Sequence, residues 1–154
     1  MKLGITGSRS ITDFDFTAFF SLNHAPFRNF CLGCGLAGRV DEILHGGARG
    51  VDALAAECAA RLGIPCVLFP PDRKKYPGAL IFRALQERNE RIVDGCDLLL
   101  AVWDGVSRGT RNTFRYAERR GKPFCLILPA GREDAGEIPR SGACNPVLRE
   151  VYYS

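Results

Sequence analysis

The chain has 154 residues, of which 46% are hydrophobic and 25% charged, with a formal net charge of +4. That is enough chain for one buried core and too mixed a composition for a disordered tail. The pI of about 8.8 falls short of the strongly basic balance that marks a dedicated nucleic-acid-binding domain. No apolar run reaches the roughly 18 residues of a spanning helix. Met1-Lys2-Leu3 leads straight into a strand-like stretch without a signal-peptide pattern, so a cytoplasmic protein without membrane contact is expected.

Taken in order, Lys2 to Thr6 reads as a short apolar strand closed by Gly7-Ser8-Arg9. Thr12 or Asp13 is then placed to cap a helix carrying Phe14, Phe16, Phe19, Phe20 and Leu22. A second strand over Val40 to Leu44 ends at Gly46-Gly47-Ala48-Arg49-Gly50, and an alanine-rich helix from Val51 to Leu62 stops at Gly63. Pro65 to Phe69 forms a third strand, followed by a loop with Pro70, Pro71 and Gly78 and a helix from Leu80 to Val93. The fourth strand, Asp97 to Trp103, is continuously apolar, as a parallel strand covered on both faces should be. Asp104 to Gly109 turn into a helix over Thr110 to Arg120, and Phe124 to Leu128 is a fifth strand. This alternation predicts an α/β fold, a Rossmann-like three-layer α/β/α sandwich on a mainly parallel five-stranded sheet. One domain over residues 1–154 is expected, with a loop insertion at about 23–39 and a tail at about 129–154 that holds one helical turn near Val147 to Tyr152. The tail aromatics Tyr152 and Tyr153 allow a homodimer contact.

Seven cysteines, an odd number, sit mostly in apolar company and read as free buried thiols. Cys31-x-x-Cys34 is half of a zinc-knuckle spacing with nothing to complete it, so packing is expected and no metal or cofactor is assigned. No P-loop pattern, no G-x-G-x-x-G after the first strand and no G-x-S-x-G are present, which argues against P-loop nucleotide hydrolysis, ordinary dinucleotide-dependent redox chemistry and serine hydrolysis.

In an open parallel sheet, ligands bind beyond the carboxyl ends of the strands. Three such ends carry glycine here, beside Arg9 and Arg49 and the hydroxyls of Ser8, Ser107 and Thr110. Glycine permits a close backbone approach, and the helix that follows aims free N–H groups at an anion, so phosphate is the expected guest. Of the 21 basic residues, 17 are arginine, whose planar fork suits that guest, although biased codon usage explains the ratio equally well. Arg108 reads equally as solvated. His45, at the tip of the second strand, is expected to be structural.

Four motifs in order, Gly7-Ser8-Arg9, His45-Gly46-Gly47-Ala48-Arg49-Gly50-Val51-Asp52, Arg88-Asn89 and Trp103 through Thr110, resemble the YspA/YpsA-related branch of the SLOG superfamily. That superfamily includes the DNA-processing Smf/DprA and the lonely-guy (LOG) proteins, and the resemblance runs from about Lys2 to Leu128. It implies a Rossmann-like domain binding a nucleotide or a nucleotide-derived small molecule in a glycine-rich crevice. Carried onto this sequence, the ligand residues are Gly7, Ser8, Arg9, Gly46, Gly47, Ala48, Arg49, Gly50, Asp52, Arg88, Asn89, Asp104, Ser107, Gly109 and Thr110. Asp52 and Asp104 are equally explained as a helix-start charge and a turn former.

LOG-type phosphoribohydrolases carry P-G-G-x-G-T-x-x-E with a catalytic glutamate, and this sequence has Thr113 at that place. A hydroxyl cannot replace a carboxylate as general base or stabilise an oxocarbenium-like centre. Arg88, Asp104, Glu90 and Asp52 are the remaining candidates for catalysis. The expectation is therefore a nucleotide-ligand-binding protein acting as sensor, carrier or enzyme. N-glycosidic hydrolysis of a nucleoside monophosphate is the alternative and single-stranded DNA binding a third reading. Nucleic acid is not expected as a partner, because the aromatics cluster at Phe14 to Phe20, where helical spacing suggests core.

Overall fold

A computed structural model describes residues 1–36, 38–129 and 147–149. Six strands form one parallel sheet: β1 (Lys2–Gly7), β2 (Glu42–His45), β3 (Cys66–Leu68), β4 (Leu98–Val102), β5 (Phe124–Leu128) and β6 (Val147–Arg149). Their order is β3-β2-β1-β4-β5-β6, so consecutive strands run outward from β1 in one direction up to β3, and the chain then returns to the other side of β1 as β4. The helices are α1 (Thr17–Phe20), α2 (Ala25–Gly33), α3 (Val51–Leu62), α4 (Ile81–Gly95) and α5 (Arg108–Arg119).

The two-residue period of a strand sorts the core into two halves. Leu3, Ile5, Ile43, Leu98, Leu100, Val102, Cys125 and Ile127 point to one face, where Phe19, Phe27, Val51, Ala55 and Ala59 of α1, α2 and α3 cover them. Leu44, Leu99, Ala101, Phe124, Leu126 and Leu128 point to the other, under Ile92 and Val93 of α4 and Phe114 and Ala117 of α5. Every residue of β4 and β5 is buried, as expected for strands covered on both faces. Trp103, Phe114 and Phe124 form a ladder on the second face with centroids 5.2 and 6.0 Å apart.

The sheet thus confirms the Rossmann-like reading, with one strand more than expected. The additional strand is β6, where one helical turn is expected; Val147, Leu148 and Arg149 pair in parallel with Leu126, Ile127 and Leu128. Backbone pairing there closes the open edge that β5 would otherwise present. Tyr152 and Tyr153, and with them the expected dimer contact, lie outside the described residues. No helix among the described residues is long and apolar enough to cross a membrane.

Two local expectations are corrected between β1 and β2. Neither Thr12 nor Asp13 starts a helix. Phe14 and Phe16, two residues apart, are both buried, which one helical face cannot achieve. The helix starts only at Thr17, whose N–H and hydroxyl both donate to Asp15 Oδ1, at 2.9 and 2.6 Å. The 23–39 stretch, expected as a loop insertion, contains α2. Pro26 stands in its first turn, His24 Nδ1 accepts the Phe27 N–H at 3.2 Å, and Phe27 and Cys31, four residues apart, are buried in the core. Burial pushes the Cys31 thiol up to about 11, in keeping with a packing role.

Phe27→Ala should therefore cost about 3–5 kcal/mol in urea denaturation, as for a core aromatic. A change within about 0.5 kcal/mol, the ordinary effect of a surface substitution, would show that α2 is not part of the core.

Candidate functional site

Because the strand order reverses between β1 and β4, the loops leaving these two neighbours depart to opposite faces of the sheet and open a hollow between them. A cleft of about 780 Å³ lies there. Thr6 to Ser10 form its floor at the end of β1, Ala48 and Asp52 border it on the β2 side, and Ser107 to Thr110 border it on the β4 side.

The floor is tied to the β4 side by one small network. Ser8 N–H donates to Val102 O at 3.0 Å, and the Asp104 N–H donates to Ser8 Oγ at 2.9 Å. Asp104 then organises the turn before α5. Its Oδ1 accepts the N–H groups of Val106 and Ser107 at 2.9 and 2.8 Å, and its Oδ2 accepts the hydroxyls of Ser10 and Ser107 at 2.7 and 2.9 Å. Burial acts to raise its pKa, but these hydrogen bonds outweigh it and hold the carboxyl down to about 2. Both oxygens are occupied, so Asp104 positions the site and does not border the cleft. Trp103 Nε1–H donates to Ser107 O at 2.9 Å and anchors the same turn. Since the Ser107 hydroxyl is engaged with Asp104, no side chain caps α5, and the first amides of that helix are left beside the cleft.

The Gly46–Gly50 turn brings Ala48 to the cleft and packs its glycines against other parts of the protein. Arg88, 5% exposed, donates from one terminal nitrogen to Gly46 O at 2.7 Å, and its Nε–H donates to Asn89 Oδ1 at 2.8 Å. A Cβ at Gly46 would fall 2.4 Å from the Arg88 guanidinium carbon. Gly50, at φ +73°, lies so close to the first loop that a Cβ would sit 2.5 Å from Ser8 O and 2.6 Å from Arg9 O. These two glycines therefore admit other parts of the protein at close range. Asp52 Oδ2 accepts the N–H groups of Gly46 and Ala48 at 3.2 Å each, and His45 Nδ1 accepts the Gly47 N–H at 3.0 Å. Burial pulls the pKa values of His45 and Arg88 down and pushes that of Asp52 up. Gly46, Gly47, Arg49 and Gly50 do not border the cleft, and Arg49 is exposed.

Of the residues carried over from the resemblance, Gly7, Ser8, Arg9, Ala48, Asp52, Arg88, Asn89, Ser107, Gly109 and Thr110 do come together around the one hollow. Among the catalytic candidates, Glu90 and Asp104 lie outside it. Thr113 is buried, its hydroxyl donating to Gly109 O at 2.7 Å. Sequence reading placed Arg88 and Asn89 of α4 at the site but missed Phe82, Leu85 and Gln86. Ala84, Arg88 and Ile92 form its buried face, while Phe82, Leu85, Gln86 and Asn89, at helical spacings of three, four and seven, face the cleft. Phe82 is 80% exposed. An apolar side chain off the core stripe was the available signal.

Because the Asp104 carboxyl drops from an ordinary 3.8 to about 2, its ionised form contributes about 2 kcal/mol of stability above pH 4, and the contribution is lost as pH falls through 2. Asp104→Asn should lower the urea-denaturation free energy by about that much at pH 7. The gap to the unsubstituted chain should close between pH 4 and 2; a gap independent of pH over that interval would contradict the assignment.

The model of the YspA, cpYpsA-related SLOG family matches residues 37–76, which hold β2, α3 and β3. No curated protein matches the chain. Among solved structures, that of DNA processing protein A (DprA) from Streptococcus pneumoniae superposes with a TM-score of 0.57 at 19% identity, covering 87% of this chain and 52% of that one. A structure of DNA processing protein A from Helicobacter pylori, which concerns that protein's single-stranded DNA binding mode, gives 0.54 at 19% identity over 88% and 67%. This chain thus spans about half the length of the first, and the likeness is one of fold. The expectation that set nucleic acid aside as a partner is corrected here: a protein of this fold binds single-stranded DNA. The match over residues 37–76 falls on the segment that holds the His45 to Asp52 motif, so the chain is similar to the YspA, cpYpsA-related SLOG family there, and it shares the fold of the DNA processing proteins.

Proposed function

We propose that the chain binds a nucleotide or nucleotide-derived ligand in the cleft between β1 and β4, with its phosphate against Arg9, Arg108 and the uncapped start of α5 and its base on Phe82. The observation that carries this reading is the pairing of two unlike features on one hollow. Arginines and free helix-start amides suit an anion, and an exposed aromatic ring suits the face of a base. Apolar Leu85 and polar Gln86 and Asn89 line the wall between them, the mixture expected of a small-molecule site. Sensor or carrier roles need nothing more. N-glycosidic hydrolysis needs a carboxylate near the sugar, and Asp52 is the one acidic candidate that borders the cleft.

A second reading, a single strand of DNA, draws support from the fold shared with the Helicobacter pylori protein and from the same Phe82, since stacking tolerates any base. It differs in its dependence on length and salt: a strand neutralising several phosphates loses affinity steeply as salt rises, and a single nucleotide does so only weakly.

Nucleoside monophosphates or ADP-ribose should raise the melting temperature, with about 2.7 kcal/mol of added stability at a hundredfold excess over Kd. Arg9→Ala should weaken binding by about 10-fold or more, the ordinary loss of a charged hydrogen bond. Phe82→Ala should cost about 1–3 kcal/mol of affinity. Arg49→Ala, outside the cleft, should leave both binding and melting unchanged. No shift from any of these compounds, together with salt-sensitive binding of oligodeoxythymidylate, would favour the second reading.

A further inference from the structure

Among the described residues that line the cleft, Asp52 is the single acidic side chain in a hollow otherwise bordered by Arg9, Arg88 and Arg108. It is 6% exposed, and its two hydrogen bonds, from the Gly46 and Ala48 N–H groups, both end on Oδ2. Oδ1 accepts none from the described residues, yet it is not one of the atoms sealed away without a partner. Asp52 forms no ion pair with Arg88 or any other described cation. A carboxylate oxygen of a nearly buried residue that borders a cleft is costly to leave without a donor, and a ligand is placed to supply one.

A phosphate cannot be that donor, because it would place anion against anion. The base is held at the wrong distance: Phe82 lies six residues before Arg88 on α4, about 9 Å along the helix axis, and Arg88 is the α4 residue whose charge Asp52 feels. The start of α5 follows β4 and Asp52 follows β2, so they flank β1 from its two sides, and strand spacing puts their strands about 10 Å apart. What a nucleotide offers between its phosphate and its base is the sugar. Building on the nucleotide reading of the cleft, we infer that Asp52 Oδ1 accepts a hydrogen bond from a free ribose hydroxyl, which makes Asp52 the residue that selects nucleotides by their sugar. The clamp on the Gly46–Ala48 turn is the means by which the fold holds the carboxylate there, since Oδ2 fixes the rotamer and leaves Oδ1 to the ligand.

The test is isothermal titration of the full chain with AMP, GMP, CMP and UMP and with their 2′,3′-dideoxy counterparts. In every pair that binds, the ribonucleotide should be tighter by about 10- to 100-fold, the range for a hydrogen bond to a charged group. UMP, whose base has no exocyclic amine, separates a sugar contact from a base contact. In Asp52→Asn the amide oxygen can still accept from Gly46 and Ala48 while the amide nitrogen replaces Oδ1 and can only donate to the hydroxyl oxygen, so a charged hydrogen bond becomes a neutral one and the preference should fall several-fold; melting of the variant shows that it is folded. Equal affinity within the pairs that bind, or a preference undiminished in Asp52→Asn, would overturn the inference while leaving the nucleotide reading intact. Failure of all eight compounds to bind would remove both.

Discussion

The cleft depends on how β1 and β4 are joined where they separate. They are neighbours in the sheet, paired from Leu3 and Leu98 up to Gly7 and Val102, and beyond that point their loops lead to helices on opposite faces. The Ser8 hydroxyl and the Asp104 carboxylate bridge the gap, one accepting from the other's backbone and the second gathering Ser10, Val106 and Ser107 around itself. Hydrogen bonds to a charged acceptor are stronger than neutral ones. This network sets the spacing between the first loop and the start of α5, and the hollow exists because that spacing is held.

Much of the fold was legible because β1, β2 and β4 run into glycines or turn formers and because β4 and β5 are apolar throughout. β4 is the clearest case: Leu98 to Val102 could be read as buried on both faces without any partner being known. The misread elements are those where local pattern and tertiary packing disagree. Phe14 and Phe16 looked helical by their company, but burying both requires an irregular backbone. α2 looked like a loop because Gly33 and Gly35 follow its phenylalanines and stand on either side of Cys34, and its contact with the core through Phe27 and Cys31 is what seats it as a helix. β6 has no signal of its own in three residues; it is defined by the edge of β5.

Legibility of the site divides along similar lines. The glycine-rich segments were correctly located at the strand ends, and Ser8, Arg9, Ser107 and Thr110 do converge. What a single sequence could not reveal is the object that each glycine accommodates. At Gly46 it is the Arg88 guanidinium and at Gly50 it is the backbone of Ser8 and Arg9. A close approach looks the same in sequence whether the visitor is a ligand or another part of the chain. The rest of the α4 face escaped notice for the converse reason: residues 82, 85 and 86 lie off the core stripe and, unlike Asn89, share no motif.

Arg88 occupies an unusual seat, between Ala84 and Ile92 on the inward stripe of α4, with its head group under the Gly46 turn. A cation in such a place belongs to the scaffold and to the pocket wall at once. Replacing it would open a void and leave a carbonyl unmet, so the shape of the cleft and the stability of the fold change together at this position. Arg9 and Arg108, on the exposed rim, carry no such double duty. The charge at the mouth of the cleft can thus change without disturbing the fold, whereas the charge at its inner wall is fixed by the packing of α4.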